Sequence, residues 1–430
     1  MNSIKTKMIL GALSFAFLGT SASAQQVGDD QVSRAEHESL RQQVVDLQAK
    51  LDGQPAHAGT NAQPLSGVLD ETSLRLSSLE SFVSDLASGD SAFHLAGFAF
   101  AGFTDSDGSD STFSAGFVPI FLWQINDRLL FEAEVEFDLG TEGGEGTTKV
   151  DLGYANGSYI LNDYIIVGAG KFLTPFGVFG NRLHPVWINK LPNAPLGRGH
   201  GGIAPPSSVG AYVRGAVPLG KMKMTYDAYI SNGPSLETGG HGAGALNFEN
   251  FEDFNQSKTI GGRIGFFPLP YLELGYSFQY GDVSASDFPE DVSALLQGVD
   301  LSYVKTHDQI GGIIDFRAEW VFSDVDDATF FDEADGEYFT FDNKRNGGYV
   351  QAAYRPTLAG GEVLKNFELV TRYDRLDFSS VLQGADKSRW SIGLNYWFSS
   401  SSVLKVSYQQ TDIDGEDNTN AFLAQIAFGF

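Results

Sequence analysis

Phe131-Glu132-Ala133-Glu134-Val135-Glu136-Phe137-Asp138-Leu139 alternates an apolar with an acidic side chain at every step. A strand has a side-chain period of two, so it sends Phe131, Ala133, Val135, Phe137 and Leu139 to one face and the four acids to the other. A helix would scatter the two kinds around its circumference. In a soluble sandwich the apolar face would meet a second sheet. In a barrel it would meet lipid, with the acids lining the lumen, and this stretch alone leaves both open.

Working outward, the same alternation recurs. Leu272, Leu274, Tyr276, Phe278 and Tyr280 oppose Glu273, Ser277 and Gln279, and Met222, Met224, Tyr226, Ala228 and Ile230 oppose Lys223, Thr225 and Asp227. Trp390, Ile392, Leu394, Tyr396 and Phe398 form a third such face. This pattern divides residues 91–430 into sixteen strands, near 91–103, 112–125, 128–139, 148–161, 164–174, 207–217, 222–232 and 258–267, then 271–282, 298–306, 310–325, 347–355, 364–378, 388–398, 403–412 and 421–430. Their lengths suit tilted membrane strands of about 9 to 11 residues. Short turns such as Asn126-Asp127 and Pro268-Leu269-Pro270 alternate with long polar loops such as 233–257 and 326–346, as in an outer-membrane barrel with short periplasmic turns and long external loops. The expected fold is an all-β, 16-stranded antiparallel transmembrane β-barrel.

Composition agrees. Of 430 residues only 19% are charged, with 50 glycines, 34 phenylalanines and no cysteine. The absence of cysteine excludes disulfide frameworks and thiolate metal sites. A formal charge of −26 makes nucleic acid an unsuitable partner. Away from the N-terminus no apolar run approaches the roughly 18 to 20 residues of a spanning helix.

The first ninety residues read differently. Lys5 and Lys7 precede an apolar run from Met8 to Leu18 and a small-residue site at Ala22-Ser23-Ala24, the features of a cleaved secretory signal covering residues 1–24. Within residues 25–90, His37, Leu40, Val44, Leu47 and Leu51, then Leu65, Leu69, Thr72, Leu76, Leu79, Val83 and Leu86, recur at steps of three and four. That spacing predicts a short α-helical coiled coil preceding the barrel, in the periplasm, with a homotrimer as the expected assembly.

The charge-bearing segment is the connection Pro175–Pro206. It carries Arg182, Lys190 and Arg198 with His184 and His200, and no acid. From Tyr164 to Tyr226 the cations Lys171, Arg182, Lys190, Arg198, Arg214, Lys221 and Lys223 occur without a single Asp or Glu. Irregular backbone at membrane depth is tolerated where it lines water or is buried in protein, and basic groups at a constriction favour anions. The expectation is that Arg182, Lys190 and Arg198 lie at a constriction, with Lys171, Arg214 and Lys223 along the approach and Glu132, Glu134, Glu136 and Asp138 on the opposing lumen wall. The competing expectation is that these cations neutralise lumenal carboxylates and stiffen the barrel. Strand parity adds inward bases at Arg263, Arg317 and Arg372 and inward acids at Asp227, Glu273, Asp315, Glu319 and Asp374.

The closing strand Ala421–Phe430, with Phe422, Ile426, Phe428 and Phe430 on one face, resembles the C-terminal assembly signal of Gram-negative outer-membrane barrels. Phe367–Phe378, Gly393–Phe398, Leu404–Tyr408, and Gly170-Lys171-Phe172 leading to Pro175-Phe176-Gly177 resemble the phosphate-selective porin O and P family. The resemblance implies a sixteen-stranded trimeric barrel in the Gram-negative outer membrane whose third loop folds into the lumen. Phosphate-specific members use a lysine-rich, arginine-lined constriction, whereas this loop has one lysine, Lys190; related porins with an N-terminal coiled coil pass dicarboxylates.

The expected function is passive diffusion of small hydrophilic solutes with a preference for phosphate or small organic anions, and the expected surroundings are membrane lipid and lipopolysaccharide. The alternative from another class is a structural barrel that tethers the membrane to the cell wall. No G-x-S-x-G, P-loop or H-E-x-x-H motif occurs, so no catalytic residue or cofactor is expected. The acidic stretch 324–342 lacks the spacing of a calcium loop and reads as a solvated surface, and His184 and His200 lack metal-ligand spacing.

Overall fold

A computed structural model describes residues 92–142, 145–198, 202–239, 242–249, 252–332, 336–379 and 384–430. The signal segment, both heptad segments and His200 lie outside the described residues.

Sixteen antiparallel strands close into one barrel. In chain order they are β1 (Ala92–Ser106), β2 (Thr112–Gln124), β3 (Leu129–Glu142), β4 (Glu145–Ile160), β5 (Ile166–Leu173), β6 (Ser207–Leu219), β7 (Met222–Ser231) and β8 (Thr259–Leu269). There follow β9 (Leu272–Asp282), β10 (Ser293–His307), β11 (Gly312–Val325), β12 (Lys344–Arg355), β13 (Phe367–Phe378), β14 (Lys387–Trp397), β15 (Ser402–Ile413) and β16 (Thr419–Gly429). Each strand pairs with its sequence neighbours, and β1 pairs with β16 from Phe98↔Gly429 to Ser106↔Ala421. Gly97 and Phe430 exchange both backbone hydrogen bonds at 3.0 Å, and the Phe430 ring stacks on Phe117 at 5.8 Å. Closure leaves the barrel sheet no unpaired edge, which a bilayer core could not solvate.

The two faces of the wall have opposite chemistry. On β14, Trp390, Ile392 and Leu394 are 59%, 54% and 49% exposed, while Arg389, Ser391 and Asn395 are buried to 8%, 3% and 1%. A water-soluble protein hides the first set and exposes the second; this barrel does the reverse, as a strand does in lipid. The outward apolar series Leu274, Tyr276, Phe278, Tyr280 opposite buried Glu273, Ser277 and Gln279 repeats the pattern on β9.

Three departures from the alternation reading have physical causes. Strand β10 begins at Ser293, five residues earlier than expected, because Ala294 and Leu296 point inward into an apolar cluster, so the inner face is greasy there. Strand β12 begins at Lys344 through Arg345-Asn346-Gly347-Gly348, a run with no apolar residue to mark a face. Long and short connections do not alternate strictly: two residues separate β3 from β4, and eleven separate β12 from β13. The long connections cluster instead between β5 and β12, where two of them contain small hairpins pairing Ser235–Leu236 with Leu246–Asn247 and Thr329–Asp332 with Glu337–Thr340.

These loops share a core at the long-loop mouth. Phe176, Ile203, Leu236, Val283, Val292, Phe330 and Phe341 pack with the inward Ala294, Leu296, Val321, Val325 and Leu376. Burying a Phe, Leu or Val contributes about 1.5–3 kcal/mol, so the loops are seated on the inner wall by packing as well as by charge.

Candidate functional site: the loop inside the barrel

The connection 174–206 leaves β5, enters the lumen and touches most of the inner wall before returning at β6. Its descent begins at Phe176, which is wholly buried. The Gly177 amide donates to Ser277 Oγ at 3.0 Å, and the Val178 and Phe179 amides donate to Glu319 Oε2 at 2.9 and 3.1 Å. Gly177 has φ +66°, and a side chain there would run into Arg198 and Glu319. The position needs glycine for both its backbone and its neighbours.

Each of the three loop cations meets a wall carboxylate. Arg182 Nη1 donates to Glu273 Oε2 on β9 at 2.7 Å. Lys190 Nζ donates to Glu368 Oε1 on β13 at 2.6 Å and lies 3.7 Å from Asp315 Oδ2 on β11. Arg198 Nε donates to Glu319 Oε1 on β11 at 2.7 Å, and its Nη2 reaches the Phe176 carbonyl at 2.5 Å. Burial works to lower the Lys190 pKa, but Glu368 and Asp315 outweigh it and hold the ammonium above the ordinary lysine value.

The wall also reaches into the loop. The Lys405 ammonium on β15 donates to the carbonyls of Val186, Asn189 and Leu191 at 2.5, 3.0 and 3.5 Å. Arg372 on β13 donates to the Asn193 and Ala194 carbonyls at 3.1 and 3.2 Å while its Nε is held by Asp374 at 2.9 Å. Arg389 on β14 adds a 2.7 Å bond to the Ala194 carbonyl, and Asn395 Nδ2 bridges the Lys190 carbonyl and Glu368. The loop carbonyls that lipid or a dry lumen would leave unsatisfied are thus taken by fixed cations.

The acid face of β3 stands elsewhere in the ring. Strands β3 and β11 are eight places apart among sixteen, so they face each other across the barrel. Loop residue His184 reaches the β3 side, its Nε2 3.6 Å from Glu134 Oε1. Burial lowers the His184 pKa, yet Glu134, with Glu136 behind it, reverses the sign and leaves it raised. Glu132 accepts from Asn156 Nδ2 at 3.2 Å. Between Glu134 and Val135 the partner shifts from Tyr154 to Leu152, leaving Gly153 as the extra residue of a β-bulge. A Cβ at Gly153 would lie 2.6 Å from Glu134 Oε1, so the bulge makes room for the carboxylate. Asp138 is register partner to Lys149.

The remaining cations lie on adjoining strands. Lys171 on β5 donates to the Leu152 carbonyl. Arg214 on β6 stands 3.3 Å from Asp227 and 4.2 Å over the Tyr212 ring, and Lys223 on β7 lies 4.2 Å over the Phe267 ring. The structure therefore brings Arg182, Lys190 and Arg198 together with acids of β9, β11 and β13, and scatters the other three: Lys171 lies near Asp151 and Glu136 of the β3–β4 wall, Arg214 beside Asp227, and Lys223 within reach of the Arg182–Glu273 pair.

Sequence reasoning missed Lys405, Arg389, Glu368 and Asp300 as site residues. Parity could have found them: Lys405 and Ser407 alternate with Leu404, Val406 and Tyr408. Asp300 receives two bonds from Arg263, at 2.9 and 2.6 Å. Parity could not have shown which backbone carbonyls Lys405 would hold.

No protein-family model matches this sequence, and no curated protein does. Solved structures do. OmpF of Salmonella typhi, determined in complex with daunomycin, superposes with a TM-score of 0.51 at 13% identity, covering 79% of this chain and 97% of that one. OprB of Pseudomonas putida superposes at 0.50 with 10% identity, covering 82% and 97%. An anion-selective porin from Comamonas acidovorans gives 0.47 at 12% identity, covering 79% and 100%. At this level of identity the likeness to OmpF and OprB is one of fold: the chain has the barrel architecture of outer-membrane porins.

Proposed function

We propose that this chain is a porin of the Gram-negative outer membrane through which small hydrophilic solutes diffuse passively. The observation that carries the reading is the inverted wall, greasy outside and charged inside, with one loop folded into the lumen and held to the wall by ion pairs. The cleaved leader, a periplasmic helical stalk and a homotrimer complete the proposal.

The selectivity we propose is a modest preference for anions. Arg182, Lys190 and Arg198 are neutralised by Glu273, Glu368 and Glu319, so they narrow and shape the pore more than they charge it. The preference is drawn from the excess of cations over acids along residues 164–226, with Lys171, Arg214 and Lys223 on the approach. A single lysine in the loop, itself bound to two carboxylates, argues for small organic anions over phosphate. Membership of the phosphate-selective O and P family is proposed only at the level of the porin fold it shares.

Planar-bilayer recording tests this. Stepwise conductance with a reversal potential displaced toward the anion side is expected, and Lys171→Glu with Lys223→Glu should shift it toward cations. A silent bilayer would return the tether reading.

A further inference from the structure

The outer face of β10 changes character toward the short-turn end of the barrel. Val299 and Leu301 are followed on that face by Tyr303, Lys305 and His307. Register fixes the side: Tyr303 pairs with Leu272 of β9, and Lys305 with Ile314 of β11, both in the outward series. The cations of the inner wall serve the loop, whereas these two face away from it. A charge on the lipid face is costly at the midplane and nearly free at headgroup level, so Lys305 and His307 mark the depth of the lipid phosphates.

The groups form one contiguous cluster. Lys305 Nζ lies 4.2 Å over the Tyr271 ring, the Tyr271 and Tyr303 rings meet edge to face at 5.6 Å, and the Tyr303 hydroxyl is 2.8 Å from His307 Nε2. All four residues are half-buried, so the cations are placed by aromatic neighbours instead of swinging in solvent. Of the acids near them in register, Asp315 points inward to Arg317 and Lys190, and Asp308 lies in the exposed turn beyond. Directly along the same face run Leu272, Leu274 and Leu301, an apolar column on the scale of an acyl chain.

The neighbouring connection points the same way. Residues 356–366, which join β12 to β13 at this end, lean on the β10–β11 turn: the Leu358 amide donates to the Gly311 carbonyl at 3.0 Å, and the outward Tyr354 hydroxyl to the Ile310 carbonyl at 2.5 Å. Ile310, Leu358, Val363 and Leu364 are exposed there. Exposed aliphatic side chains beside outward tyrosines and a lysine make up a surface set at the boundary between water and hydrocarbon.

We propose that Lys305, His307, Tyr271 and Tyr303 form a binding site for the phosphodiester headgroup of a glycerophospholipid at the short-turn rim. The inference goes beyond passive diffusion and rests on the membrane-barrel reading for the side that lipid occupies. The phosphate takes the Lys305 ammonium, which the Tyr271 face positions. A Tyr303 hydroxyl that donates to His307 Nε2 leaves the Nδ1 proton as the ring's donor to a phosphate oxygen. One acyl chain lies along Leu272, Leu274 and Leu301.

The experiment is native mass spectrometry of the full chain folded in a neutral detergent, with phosphatidylglycerol, dioleoylglycerol and glycerol phosphate added in turn, alongside bilayer recordings. Phosphatidylglycerol should stay bound as the detergent is stripped, dioleoylglycerol, which lacks the phosphate, should be lost, and glycerol phosphate, which lacks the chains, should not displace the lipid. Lys305→Gln should weaken phosphatidylglycerol binding about fivefold, and Lys305→Arg, which keeps the charge, should stay within about twofold of wild type. Arg375→Gln, which removes one outward cation near the opposite end of β13, should change nothing. Should Lys305→Gln fail to fold, His307→Phe carries the test with a loss of about threefold. Equal retention of dioleoylglycerol, displacement by glycerol phosphate, or a loss in Arg375→Gln matching that in Lys305→Gln would each overturn the proposal. A conducting channel without this lipid preference sinks the site and spares the porin. Selective lipid binding by a protein that never conducts does the opposite.

Discussion

Arg198 in the lumenal loop and Glu319 on β11 form an ion pair across 121 residues of chain, with side chains only 4% and 2% exposed. Glu319 is fully used: Oε1 takes the guanidinium and Oε2 takes the Val178 and Phe179 amides. Removing one partner of such a pair leaves a buried charge alone, at a cost of about 3–5 kcal/mol. Glu319→Ala should therefore loosen the loop, seen as larger and noisier single-channel conductance and faster proteolysis within 175–206. Arg198→Met combined with Glu319→Leu should recover most of the loss, because two apolar groups leave nothing unpaired.

Lys405 is a second fastening from the opposite direction, a wall ammonium inside a ring of loop carbonyls. Lys405→Met removes the donor and strands the Val186, Asn189 and Leu191 carbonyls, at about 1–3 kcal/mol for each that finds no water. Conductance fluctuations should appear in Lys405→Met with barrel melting little changed, since no strand pairing depends on Lys405. Lys405→Arg should not restore quiet currents, because a planar fork cannot point at three carbonyls that converge on one nitrogen.

Most of the wall was legible in the sequence, because lipid on one side and water or polar loop on the other force the period of two. Phe131–Leu139, Leu272–Tyr280 and Trp390–Phe398 show it plainly. Legibility ended where the inner face turned apolar. Ala294 and Leu296 face inward to meet Phe330 and Val292, a partnership between separate loops that no local pattern encodes. The acid-free block 164–226 contains the loop that packs against the inner wall, where Arg182, Lys190 and Arg198 each meet a carboxylate. Their partners were less visible. Glu368 and Asp315 converge on Lys190 from two different strands, and only the closed ring brings those strands within reach of one ammonium.

The inverted wall has its own test. A charged side chain at the lipid-facing midplane of a barrel costs about 2–4 kcal/mol, and far less in the lumen. Leu394→Arg on the outer face of β14 should lower folding stability in lipid vesicles by that amount, while Thr147→Arg on the exposed inner face of β4 should cost less in stability and instead perturb conductance. Equal penalties at both positions would mean that the two faces share one environment.

His184 makes the loop's attachment to the acid wall depend on pH. Its pKa is raised in the folded protein, because the Glu134 and Glu136 carboxylates overcome the effect of burial. A raised value means the charged imidazolium is favoured by folding, so its contribution is complete below the unperturbed value near 6.5 and disappears as pH climbs through the higher folded value. At alkaline pH the neutral ring leaves the buried Glu134 carboxylate without its partner. Loop-dependent current noise should accordingly rise with pH above about 6.5. In His184→Gln, which cannot acquire the charge, the noise should be high and flat across the same range. If wild type and His184→Gln trace the same pH curve, the titration belongs to another group and the His184–Glu134 contact carries no switch.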